Sequence, residues 1–233
     1  MKKSSSTPIF GHIKKGNVDY VRKNISKYNT ADKDPCSFSC LLGNAIYHNQ
    51  PDIVNTILDE NIQYRTDQLI CHNTNIIQQA VHFLYDLDTI ERVILRYQYQ
   101  FDINAATIPK ETLHLKYKDN HYKSFPPLFN AIDSYHPAKV ALLLKLGADP
   151  LYEYQGKTAL EFAKSDELQK ELDIYKEDGV FTIYGAQLSN NIDHIIELLI
   201  EAELNFWTQI AKDTYGDETS SDDEFEPNKR QRI

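Results

Sequence analysis

A pattern of short apolar runs and turn residues recurs along most of this 233-residue chain. The clearest copy is PPLFNAIDSYHPAKVALLLKLGAD, from Pro126 to Asp149, which reads as a short helix, a break, a longer helix and a closing Gly-Ala-Asp. Copies that begin at Thr7 and Cys40 are 33 residues apart (40 minus 7). A period of roughly 20 to 50 residues predicts a row of small stacked units rather than one compact domain.

The repeated unit resembles the ankyrin repeat, whose consensus opens Thr-Pro-Leu-His and closes with a glycine, an alanine and an aspartate. Thr7 begins TPIFGHIKKGNVDYV, with Gly16 in the turn between two helices, and residues 101–105 (FDINA) resemble the finger between units. The resemblance covers roughly residues 5–210. It implies an all-α ankyrin-repeat solenoid of about six helix-turn-helix repeats with short hairpin fingers. The repeats are predicted to start near residues 7, 40, 75, 126, 158 and 181.

Small and apolar residues recur where stacked units would meet. The same inner-helix slot holds an alanine in five copies, namely Ala45, Ala80, Ala131, Ala163 and Ala186. Four outer-helix positions can be compared between two copies, and three of them are apolar in both. The four residues are Ile53, Val54, Ile57 and Leu58 in one copy and, in the same order, Lys139, Val140, Leu143 and Leu144 in the other. This helical spacing predicts that each unit buries one face against its neighbours.

The sequence departs from the ankyrin consensus in two places. The consensus histidine is replaced throughout, by Phe10, Gly43, Gln78, Phe129, Glu161 and Tyr184, so we expect its local hydrogen-bond network to be missing. The chain between Asn104 and Pro126 is about 15 residues longer than the period requires. Apolar residues alternate with polar ones in this 105–125 insertion, which favours an extended hairpin, and a disordered insertion is the alternative.

The net charge of −9 argues against a nucleic-acid-binding protein, because phosphate binding requires clustered cations. The charge is unevenly spread, since residues 213–233 hold seven acidic and three basic residues (3 − 7 = −4), which leaves −5 for the rest. We therefore predict an ankyrin-repeat domain over residues 1–210 and a disordered acidic tail over residues 211–233.

The chain lacks the features of secreted and membrane proteins. Three cysteines are too few for a disulfide scaffold and favour a reducing compartment. The start of the chain lacks the apolar run of a secretory signal, and no apolar stretch approaches the roughly 20 residues that cross a bilayer. We expect a cytoplasmic protein with no membrane insertion, and a monomer, because polar end units can close a solenoid.

Candidate catalytic and metal-binding motifs are weak. Cys36, Cys40, Cys71 and His72 have the chemistry of zinc ligands but the spacing of no standard module, and buried structural cysteines are common. The histidines are scattered, and no nucleophile elbow, phosphate-binding glycine loop or kinase signature occurs. We predict no catalytic site, no metal and no cofactor. The alternative is an enzyme whose site lies in the insertion or the terminal repeat.

The resemblance implies a non-catalytic module that binds a protein partner through its concave surface. In the ankyrin register, exposed inner-helix and finger positions hold aromatic, basic and polar residues that are enriched at interfaces. The predicted partner-binding residues are Lys14, Lys15, Tyr47, His48, His82, Phe83, Tyr122, Lys123, Phe125, Asp133, Ser134, Tyr154 and Gln155. The competing interpretation is that some of these aromatic residues pack beneath a neighbouring finger.

Parts of the acidic tail resemble three kinds of signal sequence, for translocation, nuclear import and phosphorylation. Its run of acidic and small polar residues is similar to the translocation signals of ankyrin-containing effectors of intracellular bacteria, which would make the partner a host protein. Lys229, Arg230 and Arg232 resemble a short nuclear import signal, and Ser220 and Ser221 precede acids as in acidophilic kinase sites. The alternative is a solubilising tail without an address.

Overall fold

The computed structural model describes residues 8–28, 40–71, 74–105, 125–166, 168–169 and 182–215. Two layers of helices build the fold. The inner layer contains α1 (Pro8–Lys14), α3 (Leu41–Tyr47), α5 (Ile76–Phe83), α7 (Pro127–Asp133) and α9 (Ala159–Ala163). The outer layer contains α2 (Val18–Asn24), α4 (Pro51–Asp59), α6 (Leu87–Tyr97), α8 (Pro137–Lys145) and α10 (Thr182–Tyr215).

Each helix packs against its partner in the same unit and against the equivalent helix of the next unit. The inner helices contact one another in the order α1, α3, α5, α7, α9, and the outer helices in the order α2, α4, α6, α8, α10. One continuous apolar core runs through the stack from Ile9 to Leu199. The inner-helix alanines Ala45, Ala80, Ala131 and Ala163 are buried at the contacts between neighbouring units. The predicted fold class, an all-α solenoid of ankyrin type, is therefore confirmed.

Three of the inner helices end in the same turn. Gly16, Asn49 and Tyr135 each have positive φ, at 69°, 49° and 54°. In each case the next residue donates its backbone N–H to a carbonyl five residues back, for example Gln50 to Ala45 at 3.0 Å. This is the Schellman arrangement, in which a left-handed residue closes a helix and satisfies its last carbonyls. The repeated turn fixes the angle at which each outer helix leaves its inner helix.

The fingers are short. Strand β1 (Ile70–Cys71) pairs with β2 (Thr74–Asn75) in an antiparallel hairpin, with Ile70 opposite Asn75. A second finger is reduced to one antiparallel bridge between Tyr154 and Lys157. Residues 106–124, which include most of the predicted insertion, lie outside the described residues, as do residues 216–233 of the predicted tail.

The hydrogen-bond network expected to be missing is rebuilt in two units with different side chains. Asn75 and Gln78 form a reciprocal capping box at the start of α5, and Thr158 and Glu161 form another at the start of α9. The Nε2 atom of Gln78 also donates to the carbonyl oxygen of Phe125 at 2.7 Å, which ties α5 to the next unit. The expectation was wrong here because a glutamine or glutamate at the histidine position can also bond back to the helix start.

The last part of the array differs from the predicted sixth helix-turn-helix unit. Residues 182–215 form the single helix α10, which packs against α8 and α9 in the place of an outer helix. The repeat pattern predicts a turn between two helices at residues 189–191. In the structure these residues are helical, and the Nδ2 atom of Asn191 donates to the carbonyl of Tyr135 at 3.0 Å. The buried face continues across this point at helical spacing, through Leu188, Ile192, Ile195 and Leu199. Tertiary packing therefore keeps the segment helical.

Candidate functional site

Side chains from four consecutive units line one open groove at the ends of the inner helices. The groove has a volume of about 710 Å³. We call it the histidine groove, and its lining consists of Lys14, Tyr47, His48, Asn49, His82, Phe83, Tyr85, Ser134 and His136. The repeated geometry of the units places these side chains in a row, since Lys14 ends α1 and His48 and Ser134 are the C-terminal caps of α3 and α7.

Aromatic rings form the centre of the groove. The rings of Tyr47 and Phe83, from neighbouring units, are 5.2 Å apart in an edge-to-face arrangement. His48 packs on Tyr47 at 5.0 Å, and His82 packs on Phe83 at 4.6 Å. Tyr47 is 44% exposed and Tyr85 is 67% exposed, so these rings are open to solvent at the surface of the array.

Polar contacts between units hold the groove in shape. The backbone N–H of Tyr85 donates to the Oδ1 atom of Asn49 at 3.3 Å, which joins the third unit to the second. The Nδ1 atom of His82 lies 3.3 Å from the Oδ1 atom of Asn130, which joins the third unit to the fourth. The hydroxyl of Ser134 donates to the carbonyl of Asn130 at 2.7 Å. The groove is therefore fixed by the same contacts that stack the units.

The basic groups of the groove lining belong to one lysine and three histidines. Burial and the neighbouring ammonium of Lys14 both lower the pKa of His48. Burial and the ammonium of Lys139 lower the pKa of His136. Lys139 lies behind the lining, with its Nζ atom 5.3 Å from the centre of the Tyr85 ring, and burial lowers its pKa to about 8. Among the residues that the structure describes, no carboxylate lines this groove.

The structure places six of the predicted partner-binding residues together in the groove, and these are Lys14, Tyr47, His48, His82, Phe83 and Ser134. Lys15 is exposed and Asp133 is half-buried, and neither lines the groove. Gln155 is exposed in the last finger, where its Nε2 atom donates to the Tyr154 hydroxyl at 3.1 Å. Tyr122 and Lys123 lie outside the described residues.

Phe125 was predicted to be exposed for partner binding, and this prediction is wrong. Its side chain is buried, with its ring 5.6 Å from that of Tyr154 and 5.5 Å from that of Phe162. Tyr154 is half-buried in the same cluster and also packs on Phe129 at 5.5 Å. Phe125 therefore packs beneath the finger of the next unit, which is the competing interpretation of the predicted aromatic residues.

Sequence reasoning missed three lining residues, Asn49, Tyr85 and His136. Each lies in the turn directly after an inner helix, whereas the ankyrin register directed attention to the last helical positions and the fingers. The signal that could have found them is their place in the repeat, one or two residues beyond a predicted binding position.

Of the four candidate zinc ligands, the structure describes the side chain of Cys40 alone. Cys40 is buried, its Sγ atom accepts the N–H of Gly43 at 3.2 Å, and burial raises its pKa to about 12. Cys36 and His72 lie outside the described residues. Within the described ranges, no three His, Cys, Asp or Glu side chains are grouped so as to hold a metal ion. None of the helices in those ranges combines the length and apolarity needed to cross a membrane.

Comparison with known proteins gives a likeness of fold only. No family model matches the chain, and a search of the curated proteins finds no match. Among solved structures, the chain is similar to the ankyrin repeat domain of Bcl-3, described as a unique member of the IkappaB protein family. The two are 19% identical, with a TM-score of 0.44, and the match covers 73% of this chain and 85% of the Bcl-3 domain.

Proposed function

We propose that this protein is a non-catalytic interaction module that binds a protein partner at the histidine groove. The observation that carries the proposal is the edge-to-face pair of Tyr47 and Phe83, which four stacked units hold at the solvent surface. Aromatic side chains on a rigid support lose little conformational freedom on binding, and they dominate the energetics of many protein interfaces.

Cys40 has the environment of a structural cysteine rather than of a nucleophile. A cysteine thiol attacks as the thiolate, and Cys40 is buried with a pKa of about 12. Its contact with Gly43 caps α3, which is a structural task. The enzyme alternative predicts turnover, or a ligand-induced rise in melting temperature, in a screen of metabolites and metal ions.

Site-specific photo-crosslinking tests the proposal. A photoreactive phenylalanine analogue at Phe83 should capture a partner from a cell lysate, and the same analogue at Tyr99 should not. Tyr99 is 92% exposed and lies outside the groove, so it is a matched aromatic control. Capture of the same proteins with equal yield from both positions would contradict binding at the groove.

A narrower candidate function is that of a bacterial effector that enters a host cell and occupies a host protein. Its support is the sequence of residues 217–226, DETSSDDEFE, which resembles an effector translocation signal. A reporter fused to residues 204–233 should then be translocated into host cells. Translocation that persists after deletion of residues 217–226 would count against the acidic signal, and the same fusion would reveal nuclear entry through Lys229, Arg230 and Arg232.

A further inference from the structure

The histidine groove differs in charge from the chain that carries it. The whole sequence has 34 acidic and 25 basic residues, yet the described part of the groove lining contains a lysine, three histidines and no acid. The imidazole rings of His48 and His136 can each donate an N–H hydrogen bond, and Lys14 adds an exposed positive charge. A site of this composition is complementary to carboxylates.

The polar groups surround an apolar centre. Tyr47 and Phe83 are in ring contact, and His48 and His82 pack edge-to-face against Tyr47 and Phe83 respectively. A ligand that fills such a site needs an apolar side chain for the centre and hydrogen-bond acceptors on both sides of it. An acidic peptide with an aromatic or aliphatic residue among its carboxylates has that arrangement.

The acidic tail of the same chain, taken up to Phe225, is too far away to fill the centre of the groove. Asn191 lies against Tyr135, between the lining residues 134 and 136. Tyr215 is 24 residues further along the same helix (215 − 191), or roughly 36 Å at about 1.5 Å per residue. A fully extended chain from Tyr215 to Phe225, ten residues on, spans at most roughly 36 Å. It would reach only the near edge of the groove, since the Tyr47–Phe83 pair lies one to two units beyond.

From this charge and geometry we infer that the groove takes an acidic segment of a second protein, with an apolar residue seated on Tyr47 and Phe83 and carboxylates bound by Lys14, His48 and His136. The inference rests on the proposed function and specifies the chemistry of its partner.

Fluorescence anisotropy with the full chain and three labelled octapeptides tests this assignment. The peptides are EEFEEFEE, its amide analogue QQFQQFQQ, and EEAEEAEE, which lacks the aromatic residues. We expect the first to bind at least about tenfold more tightly than either control, because each control removes one of the two complementary features. Its affinity should also fall as salt is raised, since exposed charge pairs are screened. Equal affinity for EEFEEFEE and QQFQQFQQ would overturn the inference.

Two adjacent lysines provide a matched pair of variants. Lys14→Gln should weaken binding of EEFEEFEE several-fold, whereas Lys15→Gln, which makes the same change of charge outside the groove, should leave it unchanged. Circular dichroism and urea unfolding of both variants verify that the array is intact. An equal loss in the two variants would mean attraction to overall surface charge and would also overturn the assignment.

Two further measurements address other occupants. If the full chain fails to bind EEFEEFEE but binds it after the six acids in residues 217–226 are changed to amides, the groove belongs to the protein's own tail and the assignment to a second protein is wrong. A labelled ten-nucleotide oligothymidylate tests nucleic acid as the preferred ligand. If it binds more tightly than EEFEEFEE and loses this binding in Lys14→Gln, that result would assign the groove to nucleic acid instead. If no peptide binds but crosslinking at Phe83 still captures a partner, the proposed function stands and only the acidic chemistry fails.

Discussion

The Nζ atom of Lys139 donates a 2.6 Å hydrogen bond to the main-chain oxygen of Val81. Val81 lies in the last turn of α5, where carbonyls lack an intrahelical donor. The N–H of Tyr85, four residues on, donates to Asn49 instead. A lysine that is 3% exposed thus caps a helix in the neighbouring unit, at a slot where other units bury Ile53 or Thr89. The bond places a positive charge at the negative end of the helix dipole, but in a poorly hydrated environment.

The buried charge predicts that stability increases with pH near pH 8. Burial lowers the pKa of Lys139 from 10.5 in the unfolded chain to about 8 in the folded protein. Between these values the unfolded chain binds the extra proton, so the free energy of unfolding rises with pH, by about 1 kcal/mol from about pH 8 to about pH 9. Urea unfolding across this range measures it. The rise should stop above about pH 9, because Cys40, with its pKa raised from 9.0 to about 12, then favours the unfolded thiolate.

Lys139→Met is the matching variant. It should raise the free energy of unfolding at neutral pH by about 1 to 2 kcal/mol, since removal of the buried charge outweighs the lost bond to Val81. It should also abolish the increase between about pH 8 and about pH 9. An unchanged pH profile in this variant would show that another group causes the increase.

His48 and His136 should titrate below the ordinary histidine pKa of 6.5. Burial is the larger cause for both His48 and His136, and the second cause is a neighbouring lysine, Lys14 for His48 and Lys139 for His136. NMR titration of the imidazole carbons should therefore show an upward shift of the His48 pKa in Lys14→Met and of the His136 pKa in Lys139→Met. Each variant serves as the control for the other. A His48 midpoint that does not move in Lys14→Met would exclude the charge contribution.

Gln78 should contribute more stability than its counterpart Glu161. Gln78 is buried, and its side chain bonds both the N–H of Asn75 at 2.7 Å and the carbonyl of Phe125 at 2.7 Å. Gln78→Ala should cost about 2 to 3 kcal/mol, because two buried backbone groups lose their partner. Glu161→Ala removes an exposed capping box and should cost about 0.5 to 1 kcal/mol. Urea unfolding compares them, and similar losses would show that the bond between units adds little.

The helix pairs could be predicted from the sequence because the residues that specify each helix and turn lie close together along the chain. Apolar residues at helical spacing, prolines at the start of α4, α7 and α8, and Gly16 in a turn all act within a few residues. The recurrence of one unit then places Tyr47, His48, His82 and Phe83 on a common face. This is why part of the histidine groove could be found without coordinates.

The remaining features depend on contacts between distant residues. Whether Phe125 is exposed is decided by Tyr154 and Phe162, which belong to the next unit. Whether residues 189–191 turn is decided by the bond from Asn191 to Tyr135, 56 residues away (191 − 135). Neither effect has a signature in the local sequence, because isolated turn residues only weakly oppose a helix that gains tertiary packing.

Phe125 should act on stability and not on binding. Phe125→Ala removes a buried ring from the cluster with Tyr154 and Phe162 and should lower the free energy of unfolding by about 3 kcal/mol. At temperatures where the variant stays folded, partner capture through the analogue at Phe83 should be unchanged. A selective loss of capture without a loss of stability would restore Phe125 as a binding residue.

The position of α10 in the outer layer predicts a contrast between two of its isoleucines. Ile195 is fully buried where α10 packs against α8 and α9, whereas Ile200, five residues on, is 48% exposed. Ile195→Ala should cost about 2 to 4 kcal/mol, because it leaves a cavity in the core shared with the fourth unit. Ile200→Ala removes the same atoms from a partly solvated face and should cost under about 1 kcal/mol. Thermal unfolding compares the two, and equal losses would mean that α10 does not use this face against the array. A loss confined to Ile195→Ala would show that one long helix completes the last unit, since its first half then carries the stabilising contacts of an ordinary outer helix.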